Sequence, residues 1–207
     1  LLIGSFLNVV IWRVPRGESV AAPPSACPAC ETRIRAIDNI PLLSWLLLRG
    51  RCRSCAAPIS IRYPLVEAGT ALVFAGVASW FGPSWDLPAF LYLAAVCIAL
   101  ALIDIDVRRL PNAIVLPSYL VATALLILPI SLGDNGIGTL LRVGAGLAAM
   151  LLLYFVIWFA YPRGMGFGDV KFAGVLGLYL GYLGWRELAT GTFLAFLIGG
   201  VVGVGFI

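Results

Sequence analysis

From residue 64 onward the sequence is a train of apolar runs separated by short polar turns, a pattern that no water-soluble fold accommodates. A helix that crosses a bilayer needs about 20 apolar residues. Runs at 64–81, 87–103, 113–132 and 138–161 are of that order, a shorter one covers 172–185, and another begins at 188. Residues 1–12 are apolar apart from Ser5 and Asn8 and read as the last half of a further span. Of the 207 residues, 61% are hydrophobic and 12% charged, against roughly 25% charged in a soluble domain. This excludes a cytosolic globular enzyme and a disordered chain. The expected fold is an all-α membrane protein, a polytopic helical bundle of about seven spans held in the lipid bilayer. The first and last spans are expected to be truncated, because the chain opens on Leu1 and is still apolar at Ile207. A basic segment follows the opening run, so no removable signal peptide is read there.

Residues 13–63 differ in kind. They hold eight Arg and four of the five Cys, and Pro15, Pro23, Pro24 and Pro28. About 50 residues of this composition cannot build a sufficient core without a staple. The apolar stretch 41–48 is too short to span and reads as a core or interfacial helix. The expected organisation is therefore a partial span at 1–12, a cytoplasmic four-cysteine domain at 13–63 and a membrane domain at 64–207.

Charge gives the orientation. Twelve of the fourteen basic residues lie in alternate loops, and only Arg142 and Arg186 fall on the other side. The positive-inside rule makes the twelve-residue side cytoplasmic. The net charge of +4 is read as this bias and not as a nucleic-acid surface.

The chain has no His, which removes Ser-His, Cys-His and His-metal mechanisms, and a Ser-Lys dyad has only Lys171 to draw on. Carboxylates remain. Asp104 ends the third apolar run, and Asp169 opens the sixth in Gly166-Phe167-Gly168-Asp169. Two runs lie between them, and an even number of crossings returns the chain to the same side. Two carboxyls that meet there share one proton and can divide acid and base work on a peptide bond. Gly166 and Gly168 are expected to give an active-site loop in which irregular backbone lines a cavity. The plainer reading of Asp169 is a helix cap. Asp106 reads as a solvated partner of Arg108 and Arg109, and Glu67 as a polar group that snorkels or lines the interior. Gly174, Gly177, Gly181 and Gly184 share one face of the sixth run and suit close helix packing.

Cys27-Pro28-Ala29-Cys30 and Cys52-Arg53-Ser54-Cys55 are two CxxC pairs with 21 residues between them. Such pairs suit a closed tetrahedral Zn²⁺ site of the zinc-ribbon type, with a redox CxxC as the main rival reading. A reducing cytoplasm disfavours disulfides. Arg33, Arg51 and Arg53 are near enough in sequence to offset the thiolate charge. Cys97 reads as a packing residue.

Several motifs together resemble the bacterial prepilin peptidases, also called type IV prepilin leader peptidases. They are GSFLNVVIWRVP at 4–15, the two CxxC pairs, DNIPLLSW at 38–45, GRCRSC at 50–55, IRYPLVE at 61–67, Asp104 with Leu110-Pro111 after it, and GFGD at 166–169. The resemblance runs over nearly the whole chain. It implies a multi-pass aspartic peptidase of the GxGD type in the bacterial inner membrane, with catalytic residues Asp104 and Asp169 and a cysteine tetrad at Cys27, Cys30, Cys52 and Cys55. It implies as substrates type IV prepilins and type II secretion pseudopilins, cleaved at the cytoplasmic face. It also implies N-methylation of the new N-terminus with S-adenosylmethionine, at a site the residues do not place. A transporter would predict matching span patterns in two halves, which the sequence lacks. A non-catalytic scaffold would predict that both aspartates tolerate Asn.

Overall fold

The computed structural model describes residues 1–133 and 136–205, with side chains through 201. The described residues form helices α1 (Leu2–Arg13), α2 (Leu43–Leu47), α3 (Arg62–Phe81), α4 (Leu87–Val107), α5 (Asn112–Leu132), α6 (Gly136–Ala160), α7 (Phe167–Leu183) and α8 (Trp185–Gly205). Among them there is no β-strand, only two isolated antiparallel bridges. By length and composition α3, α4, α5 and α6 can cross a bilayer. About seven spans were expected. α1 and α7 have 12 and 17 residues, roughly 18 and 26 Å at 1.5 Å per residue. The expected last run is described only to Gly205.

The chain divides into two compact units, Leu1–Pro111 and Asn112–Ile207. In the first, α1, α3 and α4 pack on one another. Gly4 lets α1 lie directly on α3, because a Cβ there would sit 2.7 Å from the Cα of Glu67. One turn on, the Asn8 amide donates to the Tyr63 carbonyl at 3.2 Å. Gly82 ends α3 in a left-handed conformation (φ 61°), and the Phe81 and Phe90 rings stack at 4.1 Å across the turn into α4.

In the second unit α7 packs against α5, α6 and α8. Its buried residues, from Val170 through Leu178 and Tyr179 to Gly181, lie on several faces, as in a helix surrounded by others. The α6–α7 seam is built from backbone. A Cβ on Gly177 would collide with the Gly146 carbonyl oxygen, and one on Gly181 would stand 2.6 Å from that of Arg142. Gly174 faces the Tyr119 hydroxyl, and Gly184 falls beyond the end of the helix. Arg142 closes the far end of the seam: Nε donates to the Gly181 carbonyl at 2.7 Å and an Nη to that of Tyr182 at 2.8 Å. This satisfies carbonyls that a helix C-terminus leaves open. Because a main-chain atom cannot yield as a side chain does, Gly177→Val forces the helices apart. The expected cost is about 3 kcal/mol, read as a lower unfolding midpoint of the protein in detergent.

Candidate active site and metal centre

The cysteine tetrad is assembled from two matching turns. In the first, the Glu31 amide donates to the Cys27 carbonyl (2.8 Å) and the Cys27 amide to the Thr32 carbonyl (3.0 Å). In the second, Ala56 donates to Cys52 (2.9 Å) and Cys52 to Ala57 (2.8 Å). Glu31 and Ala56, each directly after a CxxC, are left-handed at φ 56° and 58°. The antiparallel bridges Ala26–Arg33 and Arg51–Pro58 close the two turns. All four sulfurs lie within 4.8 Å of one another, and no cysteine is in a disulfide. The Cys27 and Cys55 sulfurs are 3.8 Å apart, which is about the edge of a tetrahedron with metal–sulfur bonds of about 2.3 Å. The tetrad can hold a metal ion.

Its electrostatics agree. The Thr32 hydroxyl and then its amide hold the Cys30 thiol down at about 6. Amides of Cys55 and Ser54 lower Cys52. The Ala57 amide pulls Cys55 down, yet hydrogen bonds with Cys30 and the other thiols, together with desolvation, push it up to about 12. Four thiols this close cannot all ionise without a cation among them, and a bound dication removes that conflict.

Arg53 is paired with a carboxylate. Its guanidinium forks onto the Asp38 carboxylate, with Nη2 at 2.6 Å and Nε at 3.0 Å. This bond, helped by the charges of Arg53 and Arg35, keeps the Asp38 carboxyl below its ordinary value. A lowered carboxyl stabilises the fold above its unfolded pKa and ceases to do so as pH falls through the folded one. The Asp38 contribution is therefore lost only under acid, and a stability–pH curve of Asp38→Asn should meet the wild-type curve at low pH and lie below it at neutrality.

Asp104 does not end its helix. α4 continues to Val107 and stops at Arg108, which is left-handed (φ 49°) and returns its amide to the Asp104 carbonyl at 2.8 Å. Hydropathy falls at Asp104, but this backbone cap is what terminates the helix. Asp104 is exposed in the last turn. Asp106 departs from expectation as well. It does not pair with Arg108 or Arg109 but takes a two-pronged bond from Arg62, at 2.8 and 2.7 Å, joining the first residue of α3 to the last turn of α4. An exposed pair of this kind contributes about 1 kcal/mol or less. Asp106→Asn should therefore lower stability slightly in a melting assay.

In the second unit, α7 begins at Phe167, five residues before the expected 172. Asp169 thus lies in its first turn, where one carboxylate oxygen accepts the Gly166 amide at 3.1 Å. The cap reading is realised. Gly166 is ordinary extended backbone (φ −72°, ψ 145°) and Gly168 is helical, so the irregular loop expected at this motif is a regular helix start. The turn is fixed to α5 on two sides: the Tyr119 hydroxyl donates to the Lys171 carbonyl, and the Lys171 ammonium donates to Asn112 Oδ1 at 3.0 Å. Phe167 lies against Trp158 of α6, with ring centres 4.9 Å apart.

Glu67 is buried, with Oε2 accepting the Leu42 amide at 2.8 Å. It holds Leu42 at φ 62°, a conformation that costs a non-glycine residue of order 1 kcal/mol. Its role is to anchor the insert on α3. Sequence reasoning missed this bond, the Arg62–Asp106 pair and the Arg142 clamp. Each joins residues 25 to 44 positions apart, and no local pattern marks them.

Comparison with known proteins adds the family. Residues 1–81 match the bacterial peptidase A24 N-terminal domain, and residues 91–204 match the type IV leader peptidase family. The chain belongs to the type IV leader peptidase family. This leader peptidase family member is 40% identical to the prepilin leader peptidase/N-methyltransferase of Aeromonas hydrophila, over 100% of this chain and 78% of that protein. It is 40% identical to the protein of the same name from Myxococcus xanthus, over 99% of this chain and 60% of that protein. It is 41% identical to a type 4 prepilin-like proteins leader peptide-processing enzyme of Escherichia coli, over 91% and 77%. No solved structure matches. Of the leader peptidase motifs, the cysteine tetrad lies in the first matched segment, and Asp104 and Asp169 lie in the second.

Proposed function

We propose that the protein is a membrane aspartic endopeptidase that removes the basic leader from type IV prepilins or type II secretion pseudopilins at the cytoplasmic face of the bacterial inner membrane. The observation that carries this reading is similarity along the whole chain to prepilin leader peptidase/N-methyltransferases. In this reading Asp104 and Asp169 form the catalytic dyad. Three features support it. The chain offers no His. Both aspartates stand in terminal turns, the last of α4 and the first of α7. Two candidate spans, α5 and α6, separate them in the sequence.

The chemistry follows from two carboxyls sharing a proton. The ionised one takes a proton from water as the water oxygen attacks the scissile carbonyl carbon. The protonated one donates to the carbonyl oxygen, giving a neutral gem-diol. Its collapse expels the amine of the mature pilin, which takes up a proton. A carboxylate has about four acceptor positions, so the Gly166 bond to Asp169 is compatible with this role. A prepilin presents a basic leader followed by an apolar helix, which places its scissile bond at the depth of spans that end in charged turns.

The ion in the tetrad is proposed to be a structural Zn²⁺. Four thiolates leave it no open position for substrate, so its contribution is folding free energy. N-methylation of the new N-terminus with S-adenosylmethionine is the second proposed activity, supported by the names of the relatives. Among the described residues, the apolar groove between α6 and α8, walled by Met150, Trp185, Phe193 and Phe196, and the smaller one near Ile130 have no ionisable lining residue, and neither is assigned to that cofactor.

The test is to incubate the purified protein with a prepilin, with and without S-adenosylmethionine, and read products by mass spectrometry. The expected products are a released leader in both reactions and a mature chain one methyl group heavier only with the cofactor. An intact prepilin in both would overturn the peptidase reading.

A further inference from the structure

The cysteine insert carries an apolar face that its own fold does not cover. Around the five-residue helix α2, Ser44 and Trp45 and the preceding Pro41 turn inward: Pro41 and Ser44 are buried, the Ser44 hydroxyl bonds the Ile37 and Ile40 carbonyls, and the Trp45 ring N–H bonds the Ile59 carbonyl. Leu43, Leu46 and Leu47, at positions i, i+3 and i+4, form the opposite stripe and are exposed, Leu47 by 72%. Ile37 and Ile40, immediately upstream, are exposed too. A metal-stapled domain surrounded by water has no reason to display a stripe of three leucines with two further exposed isoleucines just upstream.

The anchor of α2 says what covers them. The Leu42 amide is bonded to Glu67, five residues into α3, whose first residue is Arg62. Five residues of helix rise about 7.5 Å. The Arg62–Asp106 pair marks the polar boundary where α3 begins and α4 ends. The start of α2 is thus tied to a residue whose Cα lies on the hydrocarbon side of that boundary. Arg49 and Arg51, both exposed, follow the helix directly and suit the anionic phosphates of lipid headgroups.

We propose that α2, with Ile37 and Ile40, is an interfacial membrane anchor: Leu43, Leu46 and Leu47 enter the acyl boundary of the cytoplasmic leaflet, and Arg49 and Arg51 sit at its phosphates. The insert then rests on the bilayer and does not hang free in the cytoplasm. This deepens the proposed function and rests on α3 being membrane-spanning. Its consequence is that the insert forms a floor beside the cleavage depth, held by lipid as well as by Glu67.

The experiment places a benzophenone amino acid at Leu47, and separately at Leu46, in the full chain reconstituted in phosphatidylethanolamine–phosphatidylglycerol vesicles. Leu72, exposed midway along α3, and Ala29, exposed in the first cysteine turn, serve as references. After illumination, lipid adducts are counted by mass spectrometry. At Leu46 and Leu47 their yield should approach that at Leu72 and exceed that at Ala29 by about ten-fold, as for side chains seated in the acyl boundary. Adducts at Leu72 with none at Leu46 and Leu47, equal yields at Ala29 and Leu47, or capture of an added prepilin in place of lipid would each overturn the anchor. An absence of lipid adducts at Leu72 would instead defeat the membrane reading of α3 itself.

Discussion

Asp104→Asn and Asp169→Asn, made singly, should each abolish leader cleavage, with losses of at least about 10⁴-fold in kcat/KM. General acid–base groups individually supply about 10²–10⁴, and members of a unit that share one proton fail together and not additively. The measurement is a time course of prepilin processing by protein matched for folding. The two variants should differ in another respect. Asp169 caps α7 through the Gly166 amide, and an Asn oxygen can still accept that bond, so stability should hold while activity is lost. The Asp104 carbonyl takes the Arg108 amide, a backbone bond that substitution by Asn leaves in place, so its variant should be equally stable. Asp106→Asn is the control, two residues away and tied to Arg62. It should keep activity within a few-fold of wild type, since breaking an exposed pair costs little. Wild-type turnover in either Asn variant at 104 or 169 removes the dyad.

The second large effect belongs to the tetrad. Metal–thiolate binding in small modules supplies about 10–16 kcal/mol of folding free energy near neutral pH. The insert has little else. Most of its residues are exposed, and its other side-chain ties are few: the Asp38–Arg53 fork, the Ser44 and Trp45 bonds around α2, and the Leu42–Glu67 bond. Cys52→Ser, or a strong chelator, should therefore unfold residues 25–60 while leaving the helices of the second unit intact. Proteolysis should move into the insert, and circular dichroism should lose only a small part of its helical signal. Re-addition of Zn²⁺ should restore protection in the chelated wild type but not in the serine variant. An insert equally resistant with and without metal would show that the thiols do not carry the fold.

Much of this was readable before any coordinates. Among the described residues, hydropathy located α1 and α3 to α8, and the CxxC spacing located the four-cysteine cluster, because both signals are local. The errors lie where backbone geometry overrides composition. α4 outlasts its apolar run by a turn because a left-handed Arg108, and not the first carboxylate, ends it. α7 starts five residues early because glycine and charged residues disguise its first turn, and that moved Asp169 from an expected loop into a helix. The contacts of Glu67, Asp106 and Arg142 are tertiary and invisible to any window of sequence. The catalytic assignment drew on family resemblance more than on the carboxylates' local surroundings, since Asp at a helix end is common.

The α6–α7 seam has a mechanical consequence. Main chain meets main chain at Gly146 and Gly177, so no rotamer change can cushion a shift between the two helices. Sliding one past the other would drive peptide groups into collision and strip both Arg142 bonds from the end of α7. The pair is therefore built to move as one stiff unit, joining the Arg142 end to the end that carries Asp169.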